Sequence, residues 1–130
     1  MSEVPDPGVV ELATRIFDLA RQGRTEELVA YVDAGVPADL TNDRGDSIVM
    51  LAAYHGHADA VRALLARGAD ADRVNDRGQT PLAGAAFKGE TEVTKALLEA
   101  GADPAAGTPS AVDTARMFAR TDLLELFGAQ

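Results

Sequence analysis

Apolar residues recur along this chain in short stripes at helical spacing. Leu12, Ile16 and Leu19 lie three and four positions apart, which is one face of a helix. The pattern predicts a helix from Pro7 to about Arg21. Asp6 would cap it, and a proline at the first helical position loses no needed N–H. Gln22-Gly23 stops it. Leu28, Val29 and Val32 then predict a second inward-facing stripe on a helix from Glu26 to about Asp33, with Thr25 as its cap. Two acids fall in its first turn, where the macrodipole favours them.

The same grammar repeats downstream. Ser47 is expected to cap a helix running through Tyr54-His55, which Gly56 breaks, and His57 to Ala66 forms its partner, burying Val61, Leu64 and Leu65. Thr80 caps and Pro81 opens a helix to Lys88; Thr91 to Glu99 follows, burying Val93, Leu97 and Leu98. The last pair is expected at about Ser110 to Phe118 and Thr121 to Phe127, with Leu126 and Phe127 packing on the preceding outer helix.

These pairs are copies. Asn42-Asp43-Arg44-Gly45 returns as Asn75-Asp76-Arg77-Gly78, a shift of 33 residues, and Gly56, Leu64-Leu65 and Gly68-Ala69-Asp70 return at the same offset. A fixed period of this size marks a stacked array. Two full units carry it, and Gly23 and Gly35 align the first pair to the same frame. After Asp103 the register needs a shift of 30, so the third turn, Pro104 to Pro109, is short and loop-like.

The residues Gly78-Gln79-Thr80-Pro81-Leu82, Gly56-His57 and the two Leu-Leu…Gly-Ala-Asp endings resemble the ankyrin repeat family. The resemblance implies an all-α fold, a solenoid of stacked helix pairs with short β-hairpin-like fingers. It divides the chain into a lead at 1–5, expected to be disordered, and one domain at 6–130. Within that domain lie an N-terminal capping repeat at 6–41, repeats at 42–74 and 75–106, and a C-terminal capping repeat at 107–130. The family's T-P-L-H reads Thr80-Pro81-Leu82-Ala83 in one unit and Ser47-Ile48-Val49-Met50 in the other. The missing histidine removes a hydroxyl–imidazole network, so the interfaces are expected to rely on apolar packing.

Composition narrows the function. The 130 residues are 46% hydrophobic and 25% charged, with four Phe, two Tyr and no Trp. Leu, Val and Ala must therefore build the core. Cysteine is absent, which excludes disulfides and thiolate metal sites. The net charge of −9 disfavours nucleic acid and anionic membranes, whose binding needs clustered Lys and Arg. The N-terminus has neither the basic nor the apolar region of a signal peptide, and no apolar run is long enough to span a bilayer. A cytoplasmic protein, monomeric when free, is expected.

Candidate chemistry is sparse. No nucleophile elbow, paired carboxylates or phosphate-binding loop is evident, so no enzyme activity and no cofactor are expected. His55 and His57 stand near Asp59, but the intervening Gly56 breaks the helix and the family assigns His57 a structural place; no metal site is expected.

The resemblance instead implies a concave face that binds a protein. Its partner-facing positions fall on Asp43, Arg44, Asp46, Tyr54 and His55 in one unit, and on Asp76, Arg77, Gln79, Phe87 and Lys88 in the next. Arg21, with Gln22, extends the face at one end, and Met117 and Phe118 extend it at the other. Tyr54, Phe87 and Met117 would form an exposed apolar ridge rimmed by charge, the anatomy of an interaction site. Asn42 and Asn75 fit turn chemistry without any partner. The expected function is a non-enzymatic module binding a protein or peptide. The alternative is a regulatory or antidote-like subunit whose acidic charge suits a basic enzyme.

Overall fold

The computed structural model describes residues 6–129 as eight helices in four antiparallel pairs; the lead expected at 1–5 lies outside the described residues. They are α1 (Pro7–Gln22), α2 (Thr25–Asp33), α3 (Ile48–Tyr54), α4 (Ala58–Ala66), α5 (Pro81–Lys88), α6 (Thr91–Glu99), α7 (Ala111–Met117) and α8 (Thr121–Leu126). The odd-numbered helices pack in succession as an inner row, and the even-numbered ones form a second row behind them. Each helix touches its pair mate and its counterpart in the next pair, which is the topology of a solenoid.

Capping sets where the inner helices begin. The side chains of Asp6, Ser47, Thr80 and Ser110 accept from Gly8, Met50, Ala83 and Asp113 N–H. Small residues set how closely the inner row packs: Ala52, Ala53, Ala85, Ala86 and Ala115 are fully buried. Ile16, Leu28, Ile48, Leu64, Leu82, Leu97 and Leu123 fill the space between the rows, each contributing about 1.5–3 kcal/mol by leaving water.

Several expectations need correction. Leu12 is 39% exposed, because α1 has a neighbouring inner helix only along the face of Ile16, Leu19 and Ala20. Thr25 is the first residue of α2 rather than its cap; Arg24 holds the cap position without a side-chain bond. Val29, Val32, Leu65 and Leu98 are only half-buried. Leu126 is 38% exposed, and Leu123 and Leu124 make the packing expected of it, with Phe127 partly buried beside them.

The fingers are hairpin-like only in outline. One isolated antiparallel bridge, Thr41 with Ser47, is formed among the described residues. Each of the two full fingers is closed by paired backbone bonds: Asn42 N–H donates to Asp46 O, and Asn75 N–H to Gln79 O, both at 3.0 Å. Where a family histidine would bind, the Ser47 and Thr80 hydroxyls accept only from their own helices. The inner interfaces are accordingly apolar, and polar links between pairs sit at their rims. There His57 Nε2 pairs with Arg21 O at 2.7 Å, and the Arg120 guanidinium donates to Phe87 O at 2.9 Å. On the outer side, the carboxylates of Asp39 and Asp72 accept from Asp70 and Asp103 N–H.

Candidate functional site

The site begins with two asparagines. Asn42 Oδ1 accepts from Arg44 and Asp46 N–H at 2.9 and 3.0 Å, and Asn75 Oδ1 accepts from Arg77 and Gln79 N–H, both at 3.0 Å. Short amide side chains favour such turns because they mimic the backbone. This pins the third and fifth residue of each finger.

Adjacent fingers are then locked in register. Asp76 N–H donates to Arg44 O at 3.0 Å, and Thr108 N–H to Gly78 O at 3.0 Å. Asn75 Nδ2 donates to Asp46 Oδ1 and Gln79 Oε1, each at 2.8 Å. Gly45 makes this approach possible: its φ is +76°, and a Cβ there would fall 2.9 Å from the Asp76 nitrogen.

The opposite wall is the row of inner-helix ends. Tyr54, Phe87, Met117 and Phe118 are 40%, 43%, 67% and 44% exposed, so these side chains are surface rather than core. Three of them make ring contacts with neighbouring side chains. Phe87 and Phe118 meet edge to face with centroids 5.0 Å apart, Tyr54 and His55 do so at 5.5 Å, and Lys88 Nζ lies 5.0 Å from the centre of the Tyr54 ring. The apolar strip is thus continuous across the last two units and is held by ring contacts rather than by burial.

Between fingers and ridge runs an open groove of about 520 Å³. Of the residues expected at the binding face, Arg21, Arg44, Asp46, Tyr54, His55, Arg77, Gln79, Phe87, Met117 and Phe118 line it. Asp43 and Asp76 do not; they border a smaller notch of about 230 Å³ between the fingertips. Lys88 caps the Tyr54 ring and leaves the groove lining to its neighbours. The sequence reading missed the floor: Met50, Leu51, Ala83 and Gly84, with Thr114 and Pro109 at the far end. The floor residues do repeat at the 33-residue period, Met50 with Ala83 and Leu51 with Gly84. Gly84 lies beneath the Tyr54 ring, where a Cβ would stand 3.6 Å from the ring, an ordinary contact distance.

Electrostatics single out His55. Partial loss of hydration lowers its pKa from the ordinary value, and the positive charges of His57, Lys88 and Arg21 lower it further. The ring is therefore held neutral to lower pH than in an open chain. No group of three or more metal-ligating side chains occurs among the described residues, and none of their helices is long and apolar enough to cross a membrane.

Eight helices in a two-row solenoid, with fingers set against the inner row, define a repeat protein with a binding groove. Residues 16–107 match the family model of ankyrin repeats in three copies, and the chain belongs to that family. It is 52% identical over 52 residues to a protein of Pseudomonas aeruginosa named as an ankyrin repeat protein; the match covers 40% of this chain and 30% of that relative. The chain thus matches under a third of the relative's length. The ankyrin fold is a protein–protein interaction module and is generally non-enzymatic.

Proposed function

We propose that this protein binds a protein or peptide partner through its concave groove, with Tyr54, Phe87, Met117 and Phe118 as apolar anchors and the finger residues as the polar rim. One observation carries the reading: four large apolar side chains stand exposed along one wall of a pre-formed groove, where leaving them in water costs free energy unless a partner covers them. Aromatic side chains at the centre of a groove are the commonest energetic anchors of interfaces. The polar rim, fixed by Asn42 and Asn75, is pre-organised, which reduces the ordering entropy lost on binding.

Site-specific photo-crosslinking in the native cell tests this. A photoreactive side chain at position 54 is expected to trap a protein partner, and one at position 95, on the outer row, is not. Crosslinks from position 95 alone would place the interface on the other face.

A further inference from the structure

The charge of the groove runs against that of the molecule. The chain carries a net −9, yet the groove is lined by Arg21, Arg44 and Arg77 against a single carboxylate, Asp46. That carboxylate is already engaged, accepting from Asn75 Nδ2 at 2.8 Å and Asn42 Nδ2 at 3.5 Å. Arg21 is partnered by Asp18 at 2.9 Å. Among the described residues no acceptor engages the guanidinium of Arg44 or Arg77, although Asp43 and Asp76 stand beside them in sequence and share the fingertip notch. Most arginines outside the groove are tied down: Arg15 and Arg24 to Glu27, Arg62 to Glu92, Arg67 to Asp33.

We propose that the groove takes an acidic protein segment that carries a large apolar side chain. The proposal rests on the concave groove being the binding face. Arg44 and Arg77 occupy the same place on two fingers locked together through Asp76 N–H and Arg44 O. They offer two forks of donors to carboxylates lying along the finger row. Guanidinium pairs with carboxylate in a planar, often bidentate geometry, and such charge-assisted bonds are the strong ones. The ridge opposite supplies the apolar half of the contact.

A short segment suits this field better than a long polyanion. At physiological salt the screening length is about 8 Å, so one or two carboxylates in the groove sense the arginines first. A longer polyanion would run onto the acidic remainder of the surface. A basic segment meets the two unpaired arginines directly.

The test is selection of random short peptides displayed on phage against the full chain, followed by fluorescence anisotropy with the enriched peptides synthesised. Enriched sequences are expected to combine Asp or Glu with Trp, Phe or Leu. Their affinity is expected to fall about tenfold or more with Arg77→Glu or Arg44→Glu, to fall less with Arg77→Gln, and to weaken as salt rises. Replacing the peptide's carboxylates by amides is expected to produce the same loss on wild-type protein.

Peptides that are basic, or that bind the arginine variants unchanged while losing affinity to Tyr54→Ala and Phe87→Ala, overturn the acidic partner and leave the groove reading standing. Peptides indifferent to both aromatic substitutions, or no binders at all, overturn the groove reading itself. A single-stranded DNA oligonucleotide that displaces the peptides with equal affinity overturns the proposal in favour of nucleic acid. Circular dichroism of each variant separates lost binding from lost fold.

Discussion

At the scale of single residues, the chain repeats a few physical devices, and most were legible. Ser47 and Thr80 read as caps from sequence because a hydroxyl ahead of an apolar run has one obvious role, and both accept the bond expected. Gly45 was legible as part of the repeated Asn-Asp-Arg-Gly stretch, but not as the point where two fingers touch. With φ at +76° and Asp76 Oδ1 only 2.6 Å from a built Cβ, Gly45→Ala must strain its own backbone and push the next finger away. A destabilisation of about 1–3 kcal/mol is expected in urea unfolding; an unchanged midpoint would show that the fingers are not locked.

His55 was legible as a groove residue, whereas its charge state depends on neighbours that only folding assembles. Its folded pKa lies below its unfolded one. The unfolded chain then binds the proton more readily, so stability rises with pH across the window between the two values. The contribution is fully present above the ordinary histidine pKa, about 6.5, and is lost as pH falls from there through the folded value. An NMR titration should find the His55 ring below the ordinary value, and Lys88→Met should move it upward. A ring titrating at or above that value would contradict the arrangement around it.

At the scale of elements, helix identity followed from periodicity, and helix orientation did not. All eight helices were placed within a residue or two, since the repeat frame, 33 residues for the first three pairs and 30 for the last, aligned their stops. The rotation of the outermost helices was misread at Leu12 and Leu126, because periodicity shows a stripe without showing which part has a neighbour. In α8, Leu123 is fully buried and Leu126 is 38% exposed. Leu123→Ala is expected to cost about 2–5 kcal/mol, the usual range for a buried leucine. Leu126→Ala is expected to stay within about 0.5 kcal/mol, as surface changes do. Thermal melts of the two variants check this, and equal losses would mean that α8 is rotated from its described pose.

At the scale of the whole molecule, stacking turns a local repeat into a surface that no single unit possesses. Each unit contributes one finger and one helix end, and only their alignment makes a continuous groove. The ridge and fingertips were legible because the family frame marks their positions. The floor was not: Met50, Leu51, Ala83 and Gly84 look like ordinary core-facing positions, and they line the groove only because the inner helices are short and rich in small residues. The free arginines were also hidden, since sequence shows Asp43-Arg44 and Asp76-Arg77 as neighbours with no sign that the pairs fail to close.

The central claim is that the exposed aromatic wall serves binding and not folding. The most direct measurement is a calorimetric titration of the crosslinked partner against Tyr54→Ala and Phe87→Ala, with thermal melts of both run beside Leu64→Ala and Leu97→Ala. The account predicts that each aromatic variant weakens binding by about 2 kcal/mol or more while losing far less stability than the leucine variants, whose side chains are fully buried. Aromatic variants that melt as early as the leucine variants, or that keep both stability and affinity, would contradict it.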